Sequence, residues 1–213
     1  MQKQFLLFDH DGVLVDTERW YYLAGRRAPA GVGVDLEERQ YLHDMSQGLG
    51  TWARARAAGV DEATISRLRD QRDAYYQQYL RSEPIEIEGV AEVLAELAGH
   101  VRMAIVTTAK RADFHLIHER RQLRHFMDFV LVREDYERAK PHPEPYLTGL
   151  ELFGASAHDT LVVEDSARGL RSAVAAGIDC VVVHNDFTAG QDFSGAQHRI
   201  DRLSELPGLL LAG

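Results

Sequence analysis

The sequence predicts an α/β protein with a doubly wound parallel sheet and an inserted all-helical domain. From Gly89 onward, short apolar runs alternate with helical patterns, as in a parallel sheet covered by helices on both faces. One earlier apolar run, Phe5 to Phe8, stands alone near the start of the chain. The intervening residues, 17 to 82, carry helical patterns and no strand candidate. These three observations favour a Rossmann-like core that is interrupted after its first strand.

The individual strands and helices are predicted from the spacing of apolar residues. Phe5 to Phe8 is the first strand, and residues 36–42 and 65–80 repeat apolar side chains every three or four positions, which indicates helices. Further strands are predicted at 101–107, 129–132, 160–163 and 180–183, and further helices at 90–97, 114–121, after Pro143 and at 167–176. The closing residues 203–211 are predicted as a short helix that packs on the core and is divided in two by Pro207.

The first strand belongs with the later alternation, so the helical block is an insertion. We predict a core of residues 1–16 and 87–213 and an inserted domain of residues 17–86, with Ser82-Glu83-Pro84 as the return linker. The 213 residues of the chain suffice for a core of about 140 residues and a smaller second domain.

The composition restricts the partners and the compartment. No apolar run approaches the roughly 20 residues of a membrane span, and Met1-Gln2-Lys3-Gln4 leaves no room for a signal sequence, so we expect a cytoplasmic protein away from membranes. A net charge of −9 argues against nucleic acid partners. The single cysteine, Cys180, lies in an apolar run and is expected to be a buried, reduced thiol. We expect a monomer, although no sequence pattern bears on assembly.

The first motif with chemical content is Asp9-His10-Asp11-Gly12, which follows the first strand. In an open α/β sheet, ligands bind at the carboxyl ends of the strands, so a pair of carboxylates at that position indicates a reactive site. A polar turn after a strand is the alternative, because Asp and Gly are common turn residues.

Three more motifs follow predicted strands or begin predicted helices. Thr107-Thr108 ends a strand with two hydroxyls that can donate to a phosphate, although strand-end hydroxyls are common. Lys140-Pro141 precedes a helix and contains one of three lysines among 24 basic residues; a solvated lysine is the alternative. Glu164-Asp165 joins a strand to a helix, where it can also serve as an N-cap.

In this order, the four motifs resemble those of the haloacid dehalogenase-like hydrolases, in the subgroup with a helical cap inserted after the first strand. The resemblance covers nearly the whole chain. It implies that Asp9 attacks phosphorus to form an aspartyl phosphate, and that Asp11, with a raised pKa, protonates the leaving oxygen and then deprotonates water. It also implies that Thr107, with backbone amides around Thr108, binds the phosphoryl oxygens, and that Lys140 neutralises the developing charge.

The resemblance also implies a magnesium site. Asp9 and Asp165 match ligands that bind through carboxylates, Asp11 matches a ligand that binds through its backbone carbonyl, and Glu164 is expected behind these ligands or behind a water. Electrostatics leads to the same expectation of a bound cation, because two carboxylates 4 Å apart repel each other by roughly 4 kcal/mol at an effective dielectric constant of 20. Mg²⁺ and the Lys140 ammonium are the cations that would offset this repulsion.

The predicted activity is hydrolysis of a small phosphorylated metabolite. The alternative is a β-phosphoglucomutase-like phosphomutase, but the loop of residues 45–51 lacks the arginine that such mutases carry there. Asp11 argues against the dehalogenase branch, which has no acid at this position, and the absence of lysine from residues 4–109 argues against the phosphonate-cleaving branch. A non-catalytic binding protein is a third interpretation, which the four intact motifs disfavour.

The resemblance also raises expectations about residues of the inserted cap domain. Trp20, Tyr21, Tyr22 and Arg26-Arg27 are candidates for contact with substrate, although most of these aromatics are expected in the core. Arg72 lies where related enzymes often carry a basic residue that senses the substrate; an exposed helical arginine is the alternative.

His10 replaces a bulky apolar residue between the two aspartates. Strand alternation predicts that it points away from them, as a core histidine. Glu88-Gly89 replaces the usual Pro-Gly at the return from the cap, a change expected to alter the stiffness of the hinge and not the chemistry.

Overall fold

The structure, a computed structural model, describes residues 3–46, 49 and 51–211. By internal contacts the chain divides into two compact units, one formed by residues 1–16 and 86–213 and the other by residues 17–85. We call them the core unit and the helical unit. Within the described ranges, no helix is both long and apolar enough to cross a membrane.

The helical unit contains four helices among its described residues: α1 (Glu18–Ala30), α2 (Glu38–Ser46), α3 (Ala53–Ala57) and α4 (Glu62–Ser82). Asp61 caps the N-terminus of helix α4, because its carboxylate accepts a hydrogen bond from the Thr64 amide at 2.9 Å. Its buried face includes Ile65 and Leu68, which pack with Trp52 and Ala55. The helix predicted at 36–42 begins two residues later and extends to Ser46.

The core unit contains a parallel sheet of six strands among the described residues. The strands are β1 (Phe5–Phe8), β2 (Arg102–Val106), β3 (Val130–Leu131), β4 (Thr160–Glu164), β5 (Asp179–Val183) and β6 (His198–Ile200). They lie in the order β3-β2-β1-β4-β5-β6, and every pairing is parallel. The prediction that the first strand joins the later alternation is therefore confirmed. Its neighbours are β2 and β4.

Strand β6 was not predicted. It is three residues long at the edge of the sheet, and Ile200 is its one buried residue, so it has no apolar run that a sequence pattern would reveal. Cys180 lies buried in β5, as expected.

Helices cover both faces of the sheet. They are α5 (Val90–Leu97), α6 (Arg111–His118), α7 (Glu144–Phe153), α8 (Ala167–Ala175) and α9 (Leu206–Leu211). Leu6 and Phe8 point to one face and join an apolar cluster with α5, α6 and α9, whereas Leu7 points to the other face and packs with α7 and α8. This arrangement confirms the predicted doubly wound architecture.

In the core unit, two further helix predictions differ from the structure in detail. The helix predicted at 114–121 occupies Arg111–His118. The closing segment is a 3₁₀ turn at Leu203–Glu205 followed by α9. Pro207 lies in the first turn of α9, where a backbone N–H has no hydrogen-bond partner within the helix, so its missing N–H costs no hydrogen bond. The segment is therefore divided between Glu205 and Leu206 and not at the proline.

Candidate active site

Parallel pairing brings two acidic segments together at the carboxyl ends of β1 and β4. Phe8 pairs with Val163, so Asp9 and Glu164 follow at the same sheet edge. One carboxylate oxygen from each of Asp9, Glu164 and Asp165 lies within 4.8 Å of the others, and all three side chains are buried. Hard divalent cations such as Mg²⁺ prefer oxygen ligands, so this set of oxygens fits the magnesium ion that the sequence implies.

Lys140 supplies a positive charge to this cluster. Its Nζ lies 2.9 Å from Asp9 Oδ1 and 2.7 Å from Glu164 Oε1, and it donates to the Val106 carbonyl at 2.8 Å. Burial alone would lower the pKa of Lys140, but the two carboxylates outweigh burial and hold the pKa above its usual range. The lysine therefore stays charged.

The charges around Asp9 are unbalanced when no cation is bound. Burial, and then the negative charge of Glu164, raise the pKa of Asp9 to about 6, although Lys140 acts in the opposite direction. A cation beside the cluster would favour the ionised carboxylate.

Glu164 is surrounded by protein donors. Its Oε1 accepts hydrogen bonds from Lys140 and from the Tyr146 hydroxyl, each at 2.7 Å, and its Oε2 accepts from the Ser166 hydroxyl at 3.0 Å. Burial would raise the pKa of Glu164, but Lys140 and these hydrogen bonds lower it below the usual value. A Cβ on Gly169 would lie 1.8 Å from Oε1, so the carboxylate requires glycine there.

Two residues that follow β5 hold Asp165 in place. The Asn185 amide donates to Asp165 Oδ2 at 2.9 Å, and the Thr188 hydroxyl donates to the Asp165 carbonyl at 2.7 Å. Gly12, at a φ of 81°, makes room for this carboxylate, because a Cβ there would lie 2.0 Å from Oδ2. We did not predict Asn185 and Thr188; the position of Asn185 just after a strand was the signal that could have revealed it.

The two threonines have different surroundings. The buried Thr107 hydroxyl donates to Asp11 Oδ2 at 3.2 Å and accepts from the Ala109 amide at 3.0 Å. The Thr108 hydroxyl accepts a hydrogen bond from Arg168 at 3.0 Å, a contact that the sequence did not suggest. Both threonines follow β2, which is the neighbour of β1 in the sheet, so they lie at the same sheet edge as Asp9 and Asp11.

The expectation that His10 points away from the acid pair is wrong with respect to Asp11. His10 Nδ1 lies 3.6 Å from Asp11 Oδ1. Strand alternation does not apply here, because the strand ends at Phe8 and the chain turns back, so that the Leu14 amide bonds to the His10 carbonyl at 2.9 Å. His10 is nevertheless fully buried, as expected of a core histidine.

The remaining candidates lie in the helical unit. Arg72 is 6% exposed and donates to Asp73 at 2.7 Å and to the Tyr21 hydroxyl, so the alternative of an exposed helical arginine is wrong. Tyr22 is buried, and its hydroxyl donates to the Leu36 carbonyl at 3.0 Å. Trp20 donates to the Pro84 carbonyl at 3.4 Å.

The other sequence candidates in the helical unit are Arg26, Arg27 and the loop of residues 45–51. The Arg27 guanidinium lies 3.9 Å from the centre of the Tyr75 ring, and Arg26 Nε lies 3.9 Å from Asp35 Oδ1. In the loop of residues 45–51, Gln47, Gly48 and Gly50 lie outside the described residues.

Known proteins resemble this chain over most of its length. Residues 6–183 match the family described as haloacid dehalogenase-like hydrolase. Protein CbbY of Rhodobacter capsulatus is 30% identical in an alignment of 216 positions, which covers 96% of this chain and 95% of that protein. Fructose-1-phosphate phosphatase YqaB of Escherichia coli strain K12 is 28% identical and covers 84% of this chain and 95% of its own length.

A solved structure shares the fold. A CbbY variant from Rhodobacter sphaeroides, in complex with xylulose-(1,5)bisphosphate, aligns with a TM-score of 0.80 at 22% identity and covers 96% of both chains. The chain belongs to the haloacid dehalogenase-like hydrolase family, and the relatives similar to it include a protein named as a phosphatase.

Proposed function

We propose that this protein is a magnesium-dependent phosphomonoester hydrolase that acts on a phosphorylated carbohydrate through an aspartyl phosphate. The observation that carries the proposal is the contact of Lys140 with Asp9 at 2.9 Å beside the buried oxygens of Glu164 and Asp165. A carboxylate held between a fixed ammonium and a cation site is ionised and positioned to attack an anionic phosphate, whose charge the same cations offset.

The metal ligands in this proposal are the carboxylates of Asp9 and Asp165 and the backbone carbonyl of Asp11. When bound, Mg²⁺ neutralises phosphoryl oxygens and favours the ionised form of Asp9. Glu164 has a supporting role, because both of its oxygens accept hydrogen bonds from protein groups and one of them holds Lys140 in place.

The proposed reaction has two displacements at phosphorus. Asp9 forms a bond to phosphorus as the bond to the sugar oxygen breaks, and Asp11 gives that oxygen a proton. A water then attacks phosphorus, loses a proton to Asp11 and releases inorganic phosphate, which restores Asp9. The Thr107 hydroxyl donates to one Asp11 oxygen at 3.2 Å and so orients the Asp11 carboxyl group.

Phosphoryl oxygens are bound in this proposal by the backbone around Thr108 and attracted by the charge of Lys140. The resemblance implies a binding role for Thr107 as well, but its hydroxyl has a single hydrogen, which it donates to Asp11. Arg168 donates to the Thr108 hydroxyl at 3.0 Å and so holds the Thr108 side chain in place. The Lys140 ammonium, fixed between Asp9 and Glu164, offsets charge that develops on the transferred group.

The substrate class is proposed from the relatives. One relative is named for fructose 1-phosphate, and the similar CbbY structure contains a sugar bisphosphate. We assign the helical unit the role of the cap, which excludes water during turnover and selects the sugar. Arg72 is its candidate for substrate binding, because it is a buried cation held by Tyr21 and Asp73.

The test is phosphate release from a panel of hexose and pentose phosphates, with Mg²⁺ and with a chelator, using wild type and Asp9→Asn. We expect release that needs Mg²⁺ and is abolished in the folded variant. Normal turnover by Asp9→Asn would refute the scheme. Conversion of a hexose 1-phosphate to the 6-phosphate without phosphate release would instead identify a phosphomutase.

A further inference from the structure

Two histidines meet behind the proposed acid. The Nε2 atoms of His10 and His118 lie 2.9 Å apart, and both side chains are buried. His10 follows β1 in the acidic loop, whereas His118 is the last residue of α6. Phe114 packs against both rings, with centroid distances of 5.0 Å to His10 and 4.4 Å to His118. The two imidazoles are thus fixed by packing as well as by their mutual contact.

A contact between two Nε2 atoms requires one to donate and the other to accept. Burial, and then the proximity of His10, lower the pKa of His118 to about 3, so this ring is neutral near pH 7 and carries one hydrogen. If that hydrogen is on Nε2 of His118, His10 accepts it and carries its own hydrogen on Nδ1. If a neutral His10 donates instead, its Nδ1 has a lone pair.

The position of Asp11 distinguishes these two arrangements. His10 Nδ1 lies 3.6 Å from Asp11 Oδ1, while Asp11 Oδ2 accepts from the Thr107 hydroxyl. In the ionised form of Asp11, which acts as the base, a lone pair on Nδ1 would repel the carboxylate lone pairs, whereas an N–H would attract them. The distance exceeds that of a hydrogen bond, but such contacts in ligand-free enzymes often shorten when substrate binds.

We propose that His118 and His10 are positioning residues for Asp11. The Nε2–H of His118 donates to His10 and thereby keeps the Nδ1–H of His10 directed at Asp11 Oδ1, while Thr107 holds Oδ2. The Asp11 carboxyl is then fixed from both sides, facing the oxygen with which it exchanges a proton. This inference rests on the proposed role of Asp11 as acid and base, and neither histidine touches substrate.

The kinetic test uses His118→Leu and two aryl phosphates with Mg²⁺. Phenyl phosphate has a poor leaving group that needs an acid, whereas p-nitrophenyl phosphate needs it much less. We expect His118→Leu to lower kcat/KM about tenfold for phenyl phosphate, a fraction of the 10²–10⁴-fold contribution of general acid–base catalysis. For p-nitrophenyl phosphate we expect kcat/KM to change by less than about twofold, because kcat/KM does not include the later attack of water, in which Asp11 is the base for both substrates.

Rescue and control variants separate positioning from packing. His118→Gln places an amide N–H near the position of Nε2 and should restore most of the phenyl phosphate activity. His10→Leu, which puts an apolar residue between the aspartates as relatives commonly do, should reproduce the selective loss even if His118→Leu does not fold. His115→Gln changes an exposed histidine of the same helix and should leave both activities unchanged. Equal losses of kcat/KM on both substrates, or no loss, would overturn the proposal.

A spectroscopic readout is independent of turnover. In full-length protein with ¹⁵N-labelled histidine, we expect His10 to show a protonated Nδ1 and an unprotonated Nε2, and His118→Leu to shift His10 toward the opposite tautomer. A protonated Nε2 on His10 in wild type would overturn the proposal.

An Asp11→Asn variant, measured in parallel, separates the two claims. If it shows the leaving-group dependence and the histidine variants do not, the positioning claim fails and the proposed function stands. If Asp11→Asn shows no such dependence, the role of Asp11 fails, and the positioning claim fails with it.

Discussion

The Nζ of Lys140 lies 2.7 Å from Oε1 of Glu164, and the side chains of this ion pair are 1% and 0% exposed. The same ammonium contacts Asp9, so one buried cation serves two buried carboxylates. Removing one partner of a buried pair leaves an uncompensated charge in a medium that solvates it poorly. The cluster is therefore a stability feature as well as a chemical one.

Lys140→Met should strongly destabilise the fold. It leaves Asp9 and Glu164 without their cation, and we expect the free energy of unfolding to fall by about 3–5 kcal/mol in urea titrations. Lys110→Met, at an exposed lysine, is the matched control and should change it by less than about 0.5 kcal/mol. Equal midpoints for the two variants would show that the buried charges are compensated in another way.

Gly169→Ala should destabilise α8 although alanine favours helices. Its Cβ would lie 1.8 Å from Glu164 Oε1, so the buried carboxylate would have to move away from Lys140. We expect a loss of about 2 kcal/mol or more, measured by thermal or urea unfolding. Gly208→Ala in α9 meets no atom within 4 Å and should be neutral or stabilising by up to about 1 kcal/mol. A stabilised Gly169→Ala would contradict the described position of Glu164.

The raised pKa of Asp9 predicts a pH dependence of stability in metal-free protein. Burial and the charge of Glu164 raise the pKa from 3.8 to about 6. The folded state therefore holds this proton more tightly than the unfolded chain, and the contribution of Asp9 to stability falls as the pH rises from about 4 to about 6. Relative to wild type, Asp9→Asn should gain about 2–3 kcal/mol between pH 4 and pH 7.

Urea unfolding with a chelator at both pH values measures this gain. Glu96→Gln, at an exposed carboxylate of the same unit, should keep a constant difference from wild type. Added Mg²⁺ should reduce the pH dependence of wild type, because a bound cation favours the ionised Asp9. An Asp9→Asn difference that does not vary with pH would refute the assignment.

Asn185 is expected to set the affinity for the metal. Its amide holds Asp165 Oδ2 at 2.9 Å, and loss of such a supporting hydrogen bond typically weakens metal binding about 10–100-fold. Asn185→Ala should show this loss in a calorimetric Mg²⁺ titration. Gln197→Ala, at an exposed amide of the same unit, should bind like wild type. Unchanged affinity in Asn185→Ala would mean that Asp165 does not depend on this contact.

The parts of the fold that could be predicted are those whose burial requires an apolar pattern in the sequence. Strand β4 is buried along its whole length and appears as Leu161-Val162-Val163, whereas β6 buries Ile200 alone and leaves no pattern. The meeting of Asp9 with Glu164 and Asp165 could be anticipated, because parallel strands end at one sheet edge.

The supporting residues could not be predicted because their roles depend on tertiary contacts. Tyr146 has the spacing of a core residue in α7, and only the fold brings its hydroxyl to Glu164. His118 ends a helix, where a basic residue is common, and its contact with His10 spans 108 positions of sequence. The orientation of His10 was missed because the turn after Phe8 breaks the strand alternation on which the prediction depended.

The central claim is that Asp9 carries the phosphoryl group during turnover. The direct measurement is an acid quench of wild type and Asp9→Asn during turnover of a ³²P-labelled sugar phosphate with Mg²⁺, followed by peptide mapping. The account predicts label on the peptide that contains Asp9 in wild type, and neither label nor turnover in the folded variant. Turnover by Asp9→Asn at the rate of wild type, or label on a different peptide, would contradict it.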